Sequence, residues 1–222
     1  MNAFFQNIIS LDKEWFCRLQ IAHNEFLDSF MMLFTSTEVW YPFFALIIYV
    51  LIKNTKRDSI FIIAALLLVV LFADQIASGI LKPLTERLRP SHNPAMEACV
   101  QIVNDYRGGR YGFVSSHAAN TMGIALFTSL LFRYMPYTIC VFAWALMNCY
   151  TRIYLGVHYP LDLIGGTMVG FLSAGIVYFV WKKFTETKRY KLQTCAKLHF
   201  EKNDLRLLSA SVLIITVIIA VL

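Results

Sequence analysis

Tyr150-Thr-Arg-Ile-Tyr-Leu-Gly-Val-His-Tyr-Pro-Leu-Asp-Leu-Ile-Gly-Gly166 places an arginine, a histidine and an aspartate between two long apolar runs. Ionisable side chains beside hydrocarbon are costly unless they are paired or reach water, so such a cluster reads as a site. Pro160 suits the first turn of a helix, which its fixed φ and missing N–H favour. With a helix starting there, His158 stands at the mouth and Asp162 one turn inside. A carboxylate near one ring nitrogen fixes the tautomer and leaves the other nitrogen free to act as base or nucleophile. If the chain reverses at Gly156, Arg152 reaches the same space from the end of the preceding helix. Its planar fork matches phosphate oxygens. The competing reading is a buried structural His–Asp pair.

Outward from this stretch, the composition belongs to a polytopic membrane protein. The 222 residues are 58% hydrophobic and only 15% charged, beyond the apolar content of a soluble domain. The expected architecture is all-α, one integral membrane domain over 1–222. Crossing the hydrocarbon takes roughly 20 apolar residues. Six spans follow, near 30–52, 59–81, 114–133, 136–156, 160–182 and 205–222. The first is strongly apolar only from Val39 to Ile52, because Thr35, Ser36, Thr37 and Glu38 precede it. Residues 1–28 place Phe4, Ile8, Trp15 and Leu19 near one helical face, with Asp12, Lys13, Glu14 and Arg18 elsewhere. This reads as an amphipathic helix in the membrane interface, with a helix packed on the bundle as the alternative. The first residues lack the basic start and cleavage signal of a removable leader.

Cys17, Cys99, Cys140, Cys149 and Cys195 show no C-x-x-C or C-x-x-H spacing, so neither a disulfide framework nor a zinc site is expected. Lysine and arginine placement orients the bundle. Lys53, Lys56, Arg57, Arg133, Lys182, Lys183, Lys188, Arg189, Lys191, Lys197 and Lys202 share the side expected to be cytoplasmic. The loop 82–113 and the turn near Gly156 then face outward. The net charge of +6 is mostly this topological signal and makes no case for nucleic acid.

The outward loops carry two further clusters. Lys82-Pro-Leu-Thr-Glu-Arg-Leu-Arg89-Pro90 sets a lysine and an arginine seven residues apart, on one face if the segment is helical. Two cations there can hold phosphoryl oxygens, although membrane-edge basic residues also serve as snorkelling anchors. Gly112-Phe-Val-Ser115-Ser116-His117-Ala118 opens the third span with small residues, whose free N–H groups and dipole make an anion cradle. Ser115 adds a hydroxyl, and His117 can give or take a proton; helix capping is the plainer role for the serines. Asp74, with Gln75 and Ser78, faces the bundle interior or makes an interhelical hydrogen bond. Arg107 and Arg110 meet an anionic head group or are solvated, and His23, His92 and His199 have no partner visible in sequence.

Together, K-x6-R-P, then S-S-H, then R-x5-H-x3-D resemble the signature of the type 2 phosphatidic acid phosphatase superfamily, over about 82–166 in motif and over the six-span layout in outline. The resemblance implies a lipid phosphatase in which His158 attacks phosphorus to form a phosphohistidine, Asp162 orients it and His117 protonates the leaving oxygen. It further implies that Lys82, Arg89, Ser115, the Ser116 amide and Arg152 bind the phosphate, with no metal or other cofactor. Two positions depart from the pattern. The usual Pro-Ser-Gly-His is Val114-Ser115-Ser116-His117, and the usual Ser-Arg is Thr151-Arg152. Serine keeps the amide donor but is strained if the position needs φ > 0.

Two histidines dividing attack and proton donation predict a bell-shaped pH profile. The expected partners are the bilayer and a lipid phosphate, in a bacterial inner membrane with the site toward the periplasm or exterior. Undecaprenyl pyrophosphate and a lipid A phosphate lead, ahead of phosphatidylglycerol phosphate and phosphatidic acid. The competing classes are a vanadate-dependent oxidoreductase on the same cradle, which six apolar spans disfavour, and a non-catalytic membrane protein.

Overall fold

Prolines and small polar residues punctuate the apolar runs, and each run between them becomes a helix. The structure, a computed structural model, describes residues 3–20, 23–186 and 198–222. Lys188, Arg189, Lys191, Cys195 and Lys197 lie outside the described residues. In chain order the α-helices are α1 (Ala3–Leu19), α2 (Glu25–Thr35), α3 (Tyr41–Thr55), α4 (Ser59–Asp74), α5 (Lys82–Thr85), α6 (Ser116–Phe132), α7 (Met135–Tyr154), α8 (Pro160–Glu186) and α9 (Lys202–Val221). A π-helical segment, Gln75–Leu81, joins α4 to α5. Apart from helices and loops, the described residues contain one antiparallel bridge, Leu88 to Tyr111.

Two expected helix boundaries are corrected. The single helix over 1–28 ends at Leu19, and a second begins at Glu25, because Asn24 caps it by accepting from the Leu27 amide at 2.8 Å. The continuous span over 30–52 is broken, because Ser36 adopts an extended backbone and turns its hydroxyl onto Glu38. The apolar helix therefore starts at Tyr41, with Pro42 in its first turn.

Among the described residues, three helical stretches are long and apolar enough to cross a membrane: Glu38–Thr85 with 48 residues, Pro160–Glu186 with 27 and Lys202–Val221 with 20. The first folds back at Lys56, whose φ is 49°, and so supplies both α3 and α4. Outward-facing Ile60, Leu67, Met168, Phe179 and Val217 are exposed, as lipid contact requires.

Inside the bundle, α6 and α8 approach through small residues. A β-carbon added to Gly170 would collide with the Ala119 carbonyl, and one on Gly123 would lie 3.3 Å from the Gly170 oxygen. This close backbone contact fixes the first half of α6 against the first half of α8. Trp40, Phe43 and Trp144 form an aromatic core beside them, with Trp40 and Trp144 centroids 5.6 Å apart. At the end remote from His158, Lys53 pairs with Asp204 at 2.8 Å and ties α3 to α9.

Helix α1 packs on the loops at the other end. Phe16 is fully buried against Tyr159, with centroids 5.5 Å apart. A disulfide joins Cys17 to Cys99, correcting the expectation from cysteine spacing; the partners are 82 residues apart and meet only in the tertiary fold. Phe4, Phe5 and Trp15 remain exposed.

Candidate active site

The turn after α7 is built by Gly156. Its φ is +69°, and a β-carbon there would press on Val100 and the Gln101 carbonyl, so the position suits glycine. The reversal lets the Val157 and His158 amides both donate to the Arg152 carbonyl, at 3.1 and 3.2 Å. Helix α8 then starts at Pro160, as the sequence predicts. His158 Nδ1 faces Asp162 Oδ2 at 3.4 Å, and the same oxygen accepts from the Tyr159 amide at 3.0 Å. Both side chains are buried, at 1% and 0% exposure. With Nδ1 turned to the carboxylate, Nε2 is the nitrogen left for chemistry.

The loop strands on either side of the site hold each other. The Arg89 amide donates to the Arg110 carbonyl at 3.1 Å and the Gly112 amide to the Arg87 carbonyl at 2.8 Å. This pairing carries both arginines to the start of α6. The segment 82–89 is not one helix, so a shared helical face is not what joins the pair. Glu86 turns left-handed, with φ 46°, and ends α5, so Arg89 reaches Lys82 by the loop's return. Arg89 is buried, its Nε donating to the Tyr111 carbonyl at 3.0 Å.

Lys82 Nζ donates to Ser78 Oγ and Ser116 Oγ, both at 3.1 Å. Ser78 in turn donates to Asp74 Oδ1 at 3.3 Å, so Asp74 supports Lys82 along its own helix rather than through an interhelical bond. Arg152 is 1% exposed, with Nη1 on Thr35 Oγ1 at 2.9 Å and Nη2 on Tyr106 OH at 2.8 Å. Its buried Nε has no partner among the described residues. Thr151, at the second departure from the motif, turns its hydroxyl back onto the Asn148 carbonyl at 2.6 Å. Burial, and then the charges of Arg89, Arg152 and Lys82, hold the His158 imidazole well below its ordinary value. The nitrogen that faces the site is therefore neutral near pH 7.

Ser115 caps α6, accepting from the Ala118 amide at 3.4 Å, while its own amide donates to the Asp162 carbonyl at 2.9 Å. Accepting leaves its hydroxyl proton free to donate. Capping and anion binding are thus compatible. Ser116 lies in the first helical turn without a positive φ, so serine in place of the usual glycine is unstrained. His117 lies within electrostatic reach of His158, Arg152, Arg89 and Lys82. All eight sequence-derived site residues thus converge on one cationic centre, with Arg89, Ser115, Arg152, His158 and Asp162 buried and Lys82, Ser116 and His117 half-buried.

Four contributors were not singled out from sequence. Arg87 Nη1 donates to Asp162 Oδ1 at 2.8 Å, and Asp12 receives the other end of that guanidinium. Thr35 and Tyr106 hold Arg152. Their partners are 46 to 117 residues distant, and no local spacing announces them. His23, left without a partner above, meets Asp28 at 2.9 Å and stacks on Tyr154. Arg107 donates to the Ser91 carbonyl at 3.0 Å and so braces the loop.

An apolar cavity of about 390 Å³ opens beside His117, lined by Trp40, Ile47, Leu66, Val70 and Trp144. A second, of about 910 Å³, lies between α1 and α8 against Arg87 and Tyr159, with Phe5, Ile9, Ile164 and Met168 in its wall. Buried cations flanked by apolar space suit an anionic head group on an apolar body.

The PAP2 superfamily model matches residues 63–186. A lipid A 4'-phosphatase of Bacteroides thetaiotaomicron is 43% identical over 166 residues, 73% of each chain. A lipid A 4'-phosphatase of Porphyromonas gingivalis is 37% identical over 175 residues, 78% of this chain and 74% of that protein. The crystal structure of a transmembrane PAP2 type phosphatidylglycerolphosphate phosphatase from Bacillus subtilis superposes with a TM-score of 0.58 at 22% identity, over 83% of this chain and 89% of that one, which shows the shared fold. The chain belongs to the PAP2 superfamily. It is an integral membrane lipid phosphatase.

Proposed function

We propose that the chain removes a phosphate from lipid A through a phosphohistidine on His158. The observation that carries the mechanism is the His158–Asp162 contact at 3.4 Å, set beside His117 and the cations Lys82, Arg89 and Arg152. His158 Nε2 attacks phosphorus, the bond from phosphorus to the lipid oxygen breaks, and His117 gives that oxygen its proton. Lys82, Arg89, Arg152, the Ser115 hydroxyl and the Ser116 amide stabilise the charge on the phosphoryl oxygens. Water then gives a proton back to His117 as its oxygen attacks phosphorus, and the N–P bond breaks, releasing inorganic phosphate and restoring both histidines. The two relatives named as lipid A 4'-phosphatases favour that substrate over undecaprenyl pyrophosphate, phosphatidylglycerol phosphate and phosphatidic acid. Two apolar cavities flanking the site also suit an amphiphile with several acyl chains.

The placement follows the same reasoning. Helices α3, α4, α6, α7, α8 and α9 form six spans in a single domain over 1–222, and α1 rests in the interface through Phe4, Phe5 and Trp15. The site faces the periplasm of a bacterial inner membrane. Lys53, Lys56, Arg57, Arg133, Lys182 and Lys183 near the remote helix ends support this orientation. So does the Cys17–Cys99 disulfide beside the site, because disulfides persist in oxidising compartments.

The test is phosphate release by the purified protein in detergent with chelator present, across these four lipids, beside His158→Ala. Release from lipid A that the substitution abolishes is expected. Release from another lipid alone, or release undiminished in His158→Ala, contradicts the reading.

A further inference from the structure

We infer that Asp12, on the N-terminal helix, is a positioning residue of the catalytic centre, acting through Arg87 on Asp162. The inference rests on the mechanism proposed above. One guanidinium serves two carboxylates: Arg87 Nη1 lies 2.8 Å from Asp162 Oδ1, and Nη2 lies 2.5 Å from Asp12 Oδ2. The Asp12 side chain is 1% exposed and that of Arg87 21%. The second Asp12 oxygen accepts from the Leu161 amide at 2.8 Å. Leu161 precedes Asp162 in the first turn of α8, so Asp12 satisfies an amide that the helix itself leaves unpaired. Asp12 thus fixes Asp162 twice, through its side-chain partner and through its backbone turn.

Geometry and charge give this arrangement a catalytic consequence. The guanidinium also lies over the Tyr159 ring, 4.3 Å from its centroid, so it is held against the residue next to His158. Without the Asp12 carboxylate, the carboxylate of Asp162 is the partner left to Arg87 among its ion pairs in the described residues. A more strongly paired and less well placed Asp162 is a poorer acceptor for the His158 ring, whose contact at 3.4 Å is already long. Helix α1 is kept in place independently by Phe16 on Tyr159 and by the Cys17–Cys99 disulfide. Changing Asp12 therefore tests its carboxylate and leaves the docking of its helix intact.

The experiment uses the full chain in detergent and compares wild type, Asp12→Asn, Asp12→Glu, Arg87→Met and the double variant Asp12→Asn/Arg87→Met on a lipid A phosphate. Thermal midpoint and the inhibition constant for inorganic phosphate are measured for each. His158→Ala runs alongside, and wild-type release that it abolishes secures the mechanism before the Asp12 series is read. Loss of a charge-assisted hydrogen bond predicts that kcat falls about 10-fold in Asp12→Asn. KM and the phosphate inhibition constant stay within about 2-fold, Asp12→Glu recovers most of the rate, and the double variant is no slower than Arg87→Met. Wild-type kcat in Asp12→Asn overturns the inference. So do losses that multiply in the double variant, or a rate loss accompanied by a matching fall in thermal midpoint.

Discussion

Ser116 holds Lys82. Its hydroxyl accepts from Nζ at 3.1 Å, in the position where the family pattern has glycine. The same lysine is held from its own helix by Ser78, so two hydroxyls fix one cation before any phosphate arrives. Ser116→Gly keeps the amide donor and removes one of the two hydroxyls. It should lower kcat/KM by about 3-fold to 10-fold, within the range for a hydrogen bond to a charged group. Steady-state rates on lipid A check this, and an unchanged rate would show Ser78 to suffice.

Arg152 is committed on both terminal nitrogens, to Thr35 and Tyr106, while Nε lies buried without a partner among the described residues. Lysine offers one point charge in place of that fork. Arg152→Lys should cut kcat by about 100-fold, the scale for losing a donor to the developing charge. Tyr106→Phe, which frees one arm, should cost about 10-fold. The ordering of the two losses is the check.

The His158 imidazole is held low by burial and by three cations, so it stays neutral as the pH falls through the ordinary histidine value of about 6.5. The acid limb of kcat/KM should therefore lie below that value. Stability behaves differently. The unfolded chain takes up a proton on this histidine that the folded chain refuses, so stability falls with acidification below about pH 6.5. Rate and thermal-midpoint profiles over pH 4 to 9 should separate the two, with activity per folded molecule persisting where stability declines.

Gly156 carries a φ of +69° at the turn that joins Arg152 to His158. Alanine there meets both the left-handed backbone penalty and the Gln101 carbonyl. Gly156→Ala should destabilise the protein by about 1–3 kcal/mol and lower kcat, because the turn positions both residues. Denaturation monitored beside turnover tests both effects.

The grouping of the candidate site residues was legible because their spacing is local. His158 and Asp162 are one helical turn apart behind a proline, and Ser115 through His117 open a helix whose end must face the site. The apolar runs that became α3, α4, α6, α7, α8 and α9 were legible from length and composition. What stayed hidden depends on tertiary contact. Asp12 meets Arg87 across 75 residues, and Cys17 meets Cys99 across 82, with no spacing rule to join either pair. The spacing of Lys82 and Arg89 would put them on one face only in a helix, and pairing of Arg87 and Arg89 with the segment 110–112 ends the helix before that. The break at Thr35–Glu38 had a visible cause in its hydroxyl cluster, and only its use by Arg152 required the fold.

The most direct measurement is a rapid acid-free quench of the enzyme during turnover of lipid A labelled at phosphorus, followed by mapping of the label. The account predicts transient label on His158, stable to alkali and lost in acid, and absent from His158→Ala. Turnover at full rate with no label on His158, or label on another residue, would contradict it.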